Sequence, residues 1–502
     1  MSQIFQTVDR KLFIAGQLVA AAGPGDYAVI DPATEQRYGS VAESTPDEID
    51  SSIEIAGRIQ KQWWRGLSGL ERAQKLHEVA QNLKALQPRL AEALTREMGK
   101  PYKESMDEVS WTISAFDYYA EIGRHEMGRI YAPSVAGQLH CSIKEPLGVA
   151  VLIMPYNYPL LLLAWQAAAA LGAGNAVIVK PSEITSLSTL LMMEAFAPLP
   201  EGLVQCLTGG PKVVTRLLES NGTQCAAFTG TVATGQIIGR MCGERFKPVL
   251  METSGNDPFI VMPSAPIDIA VRGAAFASFI NCGQVCTSAE RLYIHHKIYD
   301  EFADKLAREA RKLRIGNGLD RVDLGPMATS ASRDRYEAIL KRAIDAGAQP
   351  IAGGNRPSEF NRGWFVEPTV LMNVKPGMDI VNSESFGPVA PLVKVDDFDE
   401  AIELANQSEY GLGANIYTMN LEQAMRAVDE IDCGMVWVNN PLLDNDAAPF
   451  GGRKRSGVGR ELGSEGLEQF RSTKFVVINP SATPEDASWF PYADDAAFTG
   501  KR

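Results

Sequence analysis

From Val149 onward the chain alternates short apolar runs with amphipathic stretches at a spacing that few architectures tolerate. Residues 149–154, 176–179, 203–207 and 225–228 read as strands, apolar but for Gln205. Between them, residues 161–171, 186–196, 213–219 and 233–242 carry helical periodicity. A strand that is apolar on both faces has to be covered on both faces, and alternation with helices supplies that cover in a parallel sheet. A second such run follows, with helices expected over 268–280, 300–313, 330–346, 398–407 and 421–431, and strands near 291–294, 391–394, 414–418 and 434–438. The expected fold is α/β, with two doubly wound domains in sequence. Helical periodicity with charged faces over 49–59 and 69–98 precedes them.

One stretch imitates a membrane span. Residues 160–179 are almost wholly apolar and reach the roughly 20 residues a bilayer needs. Gln166 and Asn175 interrupt them, and Gly172-Ala173-Gly174-Asn175 is turn chemistry. A buried helix, a tight turn and a strand are therefore expected there, with no membrane partner.

Composition narrows the function classes. A net charge of −13 over 502 residues argues against general binding to a nucleic-acid backbone, which needs clustered Lys and Arg. Seven scattered cysteines do not make a disulfide scaffold, and five histidines without CxxC or HExxH spacing give no expected metal site. His295 and His296 are adjacent and read as structural. The N-terminus lacks the pattern of a signal peptide, so the cytoplasm is the expected location. From Pro480 the chain is rich in Pro, Ala and Asp around Trp489, Phe490 and Tyr492, and reads as an extended arm.

Open α/β sheets bind ligands beyond the carboxyl ends of their strands. The residues there are Asn157, Lys180-Pro181-Ser182-Glu183, Gly209-Gly210 and Gly230-Thr231, all polar or glycine except Pro181. Gly230 to Gly235 has P-loop spacing, but Gln236 stands where a phosphate-binding lysine is needed. A pyrophosphate at the helix start after Gly230 remains compatible with this pattern. The nucleophile candidate is Cys286, preceded by Gly283, whose freedom to turn exposes backbone N–H groups. Cys282 is a rival on the same grounds, and a plain buried thiol is the competing reading of both. Glu252 ends an apolar strand, either as a cap for the next element or as a general base beside an apolar wall.

These segments, taken in order, resemble the NAD(P)-dependent aldehyde dehydrogenase superfamily over nearly the whole chain. The resemblance is carried by Pro155-Tyr156-Asn157-Tyr158-Pro159, Lys180-Pro181-Ser182-Glu183, Phe228-Thr229-Gly230-Thr231, Glu252 and Gly283-Gln284-Val285-Cys286, and then by Gly363 to Thr369, Glu384 to Pro388, Pro449 to Gly452 and Ser456 to Glu461. It implies oxidation of an aldehyde to its acid with NAD, with NADP possible. Cys286 would be the nucleophile, Glu252 the base that activates water against a thioester, and Asn157 the oxyanion donor. It implies cofactor contacts from Lys180, Ser182, Glu183, Gly230, Thr231, Glu384 and Phe386, with Glu183 favouring NAD by repelling a ribose phosphate. A substrate tunnel of Glu108, Trp111, Tyr158, Trp165, Ile280, Val285, Thr287 and Asp444 is implied. Aromatics beside acids there suit an amino- or trimethylammonio-aldehyde such as betaine aldehyde. An aliphatic or aromatic aldehyde, acyl transfer to coenzyme A, and a catalytically silent structural relative are the alternatives. Two departures stand out: Thr253-Ser254-Gly255 follows the base where relatives often have leucine and glycines, and Tyr156 stands where tryptophan is frequent.

The resemblance also sets expected boundaries. Residues 1–123 and 146–252 form a cofactor-binding domain and 253–455 a catalytic domain. A small β oligomerisation element comprises 124–145 and 470–480, and residues 481–502 are a tail. A homodimer or homotetramer is expected, with the tail aromatics docked on a neighbouring subunit or disordered.

Overall fold

Val149–Ile153 is buried at every position, as a strand covered on both faces must be. It is the centre of an eight-stranded sheet in the order Gln17–Ala20, Lys11–Ile14, Val204–Cys206, Ala176–Lys180, Val149–Ile153, Cys225–Thr229, Val249–Glu252 and Gly457–Val458. The five strands from Val204–Cys206 to Val249–Glu252 are parallel, and antiparallel strands close both edges. This is a computed structural model, and it describes residues 3–25, 27–125, 127–481 and 490.

The chain first builds outward from Val149–Ile153 through Ala176–Lys180 to Val204–Cys206. It then returns to the other side with Cys225–Thr229. The order therefore reverses between Val149–Ile153 and Cys225–Thr229, and a crevice opens beyond their carboxyl ends. Helix Pro159–Gly172, all fourteen residues buried, covers one face and gives way to strand Ala176–Lys180 through the turn at Gly174, whose φ is +100°. No helix among the described residues is long and apolar enough to cross a membrane.

The second sheet has seven strands in the order Gln349–Ala352, Thr369–Val374, Val389–Val395, Ala289–His295, Asp257–Val261, Gly413–Tyr417 and Met435–Val438. All but the first run parallel. Each sheet has its own apolar core. The chain thus folds as two Rossmann-like units. A separate three-stranded sheet pairs Arg471–Ile478 with Leu139–Pro146 over eight residues and adds Gly128–Tyr131 at its edge.

Several elements escape the sequence reading. Helix Tyr102–Ile122 starts directly after Pro101, on the heels of helix Gly69–Met98. The hairpin of Lys11–Ile14 with Gln17–Ala20 turns on Ala15 and Gly16, both at positive φ, and alanine is a poor advertisement for such a turn. Residues 186–196 form helix Ser186–Met192 followed by a tighter 3₁₀ turn, Met193–Phe196, instead of one helix. Trp489 and Tyr492 of the expected arm lie outside the described residues, while Phe490 is exposed.

Candidate active site

The crevice at the reversal of the first sheet is a cavity of about 690 Å³, within the usual range for a small-molecule site. Met154-Pro155-Tyr156-Asn157 enter it from the end of Val149–Ile153, and Gly230 and Thr231 from the end of Cys225–Thr229. Lys180, Ser182 and Glu183 line it from the neighbouring strand end, and Glu384 and Phe386 reach it from the second unit. Glu252 and Cys286 share the same wall. The three groups read as catalytic and the seven read as cofactor contacts therefore face one hollow.

Cys286 owes its position to a sharp local turn. Asn281, Cys282 and Gly283 all have positive φ, of 51°, 56° and 70°. A Cβ on Gly283 would lie 2.2 Å from the Gly387 carbonyl, so only glycine fits. Cys282 is driven into the core by this turn and burial raises its thiol above the usual range, whereas Cys286 is only partly buried and faces the cavity. Of the two rival thiols, only Cys286 lines the cavity.

Glu252 is 2% exposed, and neither of its oxygens has a formed hydrogen bond. Burial, followed by repulsion from Glu461, raises its pKa well above the ordinary carboxylate range. The Cys286 thiol beside it is likewise raised well above the usual 9.0, by burial first and then by the charge of Glu252. Burial thus favours the neutral form of both groups, and a negative charge on Glu252 opposes one on Cys286. Thr253 uses its extra hydroxyl to donate to the Arg455 carbonyl, and its backbone N–H donates to Ser456 O at 2.9 Å. The departure after Glu252 is thus tied to the segment that forms the sheet edge.

Asn157 is 4% exposed and donates from Nδ2 to the Gln284 carbonyl at 3.1 Å. Lys180 and Glu183 form an ion pair of 2.8 Å at the mouth of the cavity. Thr231 caps helix Val232–Gly243, accepting from the Thr234 N–H, so the positive end of that helix faces the crevice. Glu384 accepts from the Gly255 N–H at 3.3 Å. Glu290, buried in strand Ala289–His295, accepts from the backbone N–H groups of Ser385 and Phe386, both at 2.8 Å, and so sets the loop that carries Glu384 and Phe386. A glycine-and-threonine helix start, a lysine–glutamate pair and a phenylalanine along one elongated hollow suit a dinucleotide.

The aldehyde dehydrogenase family profile matches residues 18–476. The chain belongs to the aldehyde dehydrogenase family. It is 33% identical to a betaine aldehyde dehydrogenase of Bacillus subtilis, over 96% of this chain and 100% of that one. An aminoaldehyde dehydrogenase of Pisum sativum is 36% identical over 95% and 97% of the two chains. Among solved structures, a betaine aldehyde dehydrogenase of Staphylococcus aureus in complex with NAD+ superposes with a TM-score of 0.93 at 30% identity, covering 97% of this chain and 98% of that one.

The eight residues expected to line a substrate tunnel in this aldehyde dehydrogenase are not equivalent, and none of them lines the cavity that holds Cys286. Trp111 and Asp444 are exposed, and desolvation followed by the charge of Asp446 pushes the Asp444 carboxyl up to about 7. Trp165 is buried against Phe450 at a ring-centroid distance of 4.8 Å, and Tyr158 and Thr287 are also buried. Val285 packs against the first core, and Ile280 ends helix Ile267–Phe279. Glu108 departs from the expectation that it offers a charge to substrate. Its carboxylate is fully buried and paired with the equally buried Lys100 at 2.5 Å, because helix Tyr102–Ile122 packs that face against helix Pro159–Gly172.

Arg335 and Ser332, on helix Ser330–Asp345, also line this cavity and were not singled out from the sequence. That helix belongs to the second unit, and no local motif marks its first turn as facing the first.

Proposed function

We propose that this enzyme oxidises an aldehyde to the corresponding carboxylic acid with NAD, through a thioester on Cys286. The observation that carries this reading is the shared cavity of Cys286, Glu252 and Asn157, with Glu252 buried and unpartnered. A nicotinamide dinucleotide, when bound, supplies the acceptor for the aldehyde hydride. The chain's own groups do the rest. The Cys286 thiol gives its proton to Glu252 as its sulfur adds to the carbonyl carbon, and Glu252 releases that proton to water in the open cavity before the hydrolytic step, so that it is a carboxylate again. The Asn157 amide and the Cys286 backbone N–H receive the oxygen as it becomes an oxyanion. After oxidation the acyl group is held on Cys286. Glu252, raised in pKa by burial, takes a proton from water as that water attacks the thioester and frees the acid. A carboxylate with no other partner speaks for hydrolysis over transfer to coenzyme A.

Glu183 beside Lys180 favours NAD over NADP, since a second negative group near the ribose 2′ position would be repelled. The preferred substrate class is an aldehyde carrying an ammonium or trimethylammonium group. Support comes from Trp111 and Asp444, both solvent-reachable, and from relatives named for betaine aldehyde and aminoaldehydes. Glu108 takes no part in this, because Lys100 already neutralises it. Exposed Ile130, Phe475 and Val477 on the three-stranded sheet support assembly into a homodimer or homotetramer.

NADH absorbance with and without coenzyme A tests the reaction. Hydrolytic turnover in the absence of coenzyme A is expected, with Cys286→Ser inactive and Glu252→Gln releasing about one equivalent of NADH before stalling. Turnover that requires coenzyme A, or that survives Cys286→Ser, overturns it. Comparing kcat/KM for betaine aldehyde, aminobutyraldehyde, hexanal and benzaldehyde tests the substrate class, and a preference for either of the last two removes the cationic reading.

A further inference from the structure

Lys100 sits in the two-residue gap between helix Gly69–Met98 and the Pro101 that precedes helix Tyr102–Ile122, and its side chain is wholly buried. Its three N–H directions are all accounted for. One donates to Glu108 Oε2 at 2.5 Å, one to the backbone carbonyl of Asn157 at 2.6 Å, and the ammonium stands 3.8 Å from the centroid of the Tyr158 ring. The other oxygen of Glu108 accepts from the N–H of Leu160 at 2.9 Å and of Leu161 at 3.3 Å, the first free donors of helix Pro159–Gly172. The ion pair therefore grips the chain on both sides of Tyr158, immediately after the Asn157 amide.

The hydrogen bonds close into a ring. Asn281 Nδ2 donates to the Asn157 carbonyl and to the Gln284 carbonyl, both at 3.2 Å, and Asn157 Nδ2 donates to that same Gln284 carbonyl. Gln284 lies two residues before Cys286. The backbone of the oxyanion strand end and the backbone of the nucleophile turn are thus joined through three directed bonds, and Lys100 completes the set at the Asn157 oxygen.

Removing two charges from water is costly, and two apolar side chains of similar volume would fill the space without that cost. What apolar groups could not do is fix a carbonyl, two helix N–H groups and a ring plane in one geometry. We infer that Lys100 and Glu108 are positioning residues, which hold the Asn157 amide at the place where the oxyanion forms on the carbon attacked by Cys286. The inference rests on the oxyanion reading of Asn157.

The test uses the full chain without cofactor and two probes. Hydrolysis of p-nitrophenyl acetate requires attack on a carbonyl and an oxyanion, but no hydride transfer. Alkylation of Cys286 by iodoacetamide forms no oxyanion. Lys100→Met is expected to lower ester turnover about ten- to a hundredfold, the scale of a misplaced or lost oxyanion donor, while alkylation stays within about twofold. In an Asn157→Ala background the same change should add no further loss, since the pair then has nothing to position. Full additivity of the two losses, or alkylation falling in parallel with esterase activity, overturns the inference. If Asn157→Ala alone leaves ester turnover intact, the oxyanion reading fails and takes this inference with it. Should Lys100→Met not fold, Glu108→Gln, which keeps an acceptor for Leu160, carries the same comparison.

Discussion

A Cβ placed on Gly255 would lie 2.0 Å from the carbonyl oxygen of Cys286, closer than any real pair of such atoms. The strand end after Glu252 and the turn that carries Cys286 are therefore pressed together backbone to backbone, and the gap admits a hydrogen atom only. Gly255→Ala should push the Cys286 backbone away from Glu252 and Asn157. We expect a fall in kcat of about a hundredfold in a folded protein, since a misplacement near 1 Å has that effect. Steady-state NADH formation, with circular dichroism as the folding control, measures it; wild-type kcat would show that the contact relaxes freely.

The raised thiol of Cys286 has a pH consequence. Burial and the Glu252 charge both oppose thiolate formation, so alkylation of the cofactor-free enzyme should rise with pH only above the ordinary thiol range. Glu252→Gln removes the charge and leaves the burial. Its alkylation profile should shift to lower pH and its rate near pH 8 should increase severalfold. An unshifted profile means that Glu252 does not hold the thiol up.

Glu97 is fully buried in helix Gly69–Met98 and accepts from the N–H groups of Leu187 at 2.7 Å and Ser188 at 2.9 Å. It thereby caps helix Ser186–Met192, three residues beyond Glu183. Glu97→Ala leaves two buried donors without an acceptor, at a cost of about 3 kcal/mol. Chemical denaturation should show that loss. Weaker NAD binding should accompany it, read from the quenching of protein fluorescence, because the Lys180–Glu183 loop loses its anchor.

His77 bridges two carboxylates, with Nδ1 2.8 Å from Asp117 and Nε2 2.7 Å from Glu121. Both contacts are hydrogen bonds only if the ring carries two protons. Burial alone would lower its pKa, but the carboxylates outweigh it and raise it above the usual 6.5. A group raised on folding stabilises fully below its unfolded pKa, and that stabilisation disappears as pH climbs through the folded value. The Tm difference between wild type and His77→Gln should be largest below pH 6.5 and should shrink as pH climbs above it. A difference that grows with pH would refute the clamp between helices Gly69–Met98 and Tyr102–Ile122.

Local spacing in the chain was enough to reveal the first parallel sheet and four strands of the second, because strands roofed by helices on two sides have to be apolar at successive positions, and Val149–Ile153 and Ala176–Lys180 carry that mark; Asp257–Val261 and Thr369–Val374 of the second sheet were not read from the sequence. The residues at their carboxyl ends, Asn157, Lys180 and Glu183 among them, were legible for the same reason: a strand end fixes which way the next residues point. The antiparallel hairpin at Ala15-Gly16 and the separate helix Tyr102–Ile122 were not, since neither turn chemistry nor a cap announces them. Tertiary structure alone decided which charges are spent. Nothing local distinguishes Glu108, sealed against Lys100, from Asp444 on its exposed loop. Burial of a charge is a property of two packed surfaces, here helices Tyr102–Ile122 and Pro159–Gly172, and periodicity along one segment carries no record of the other.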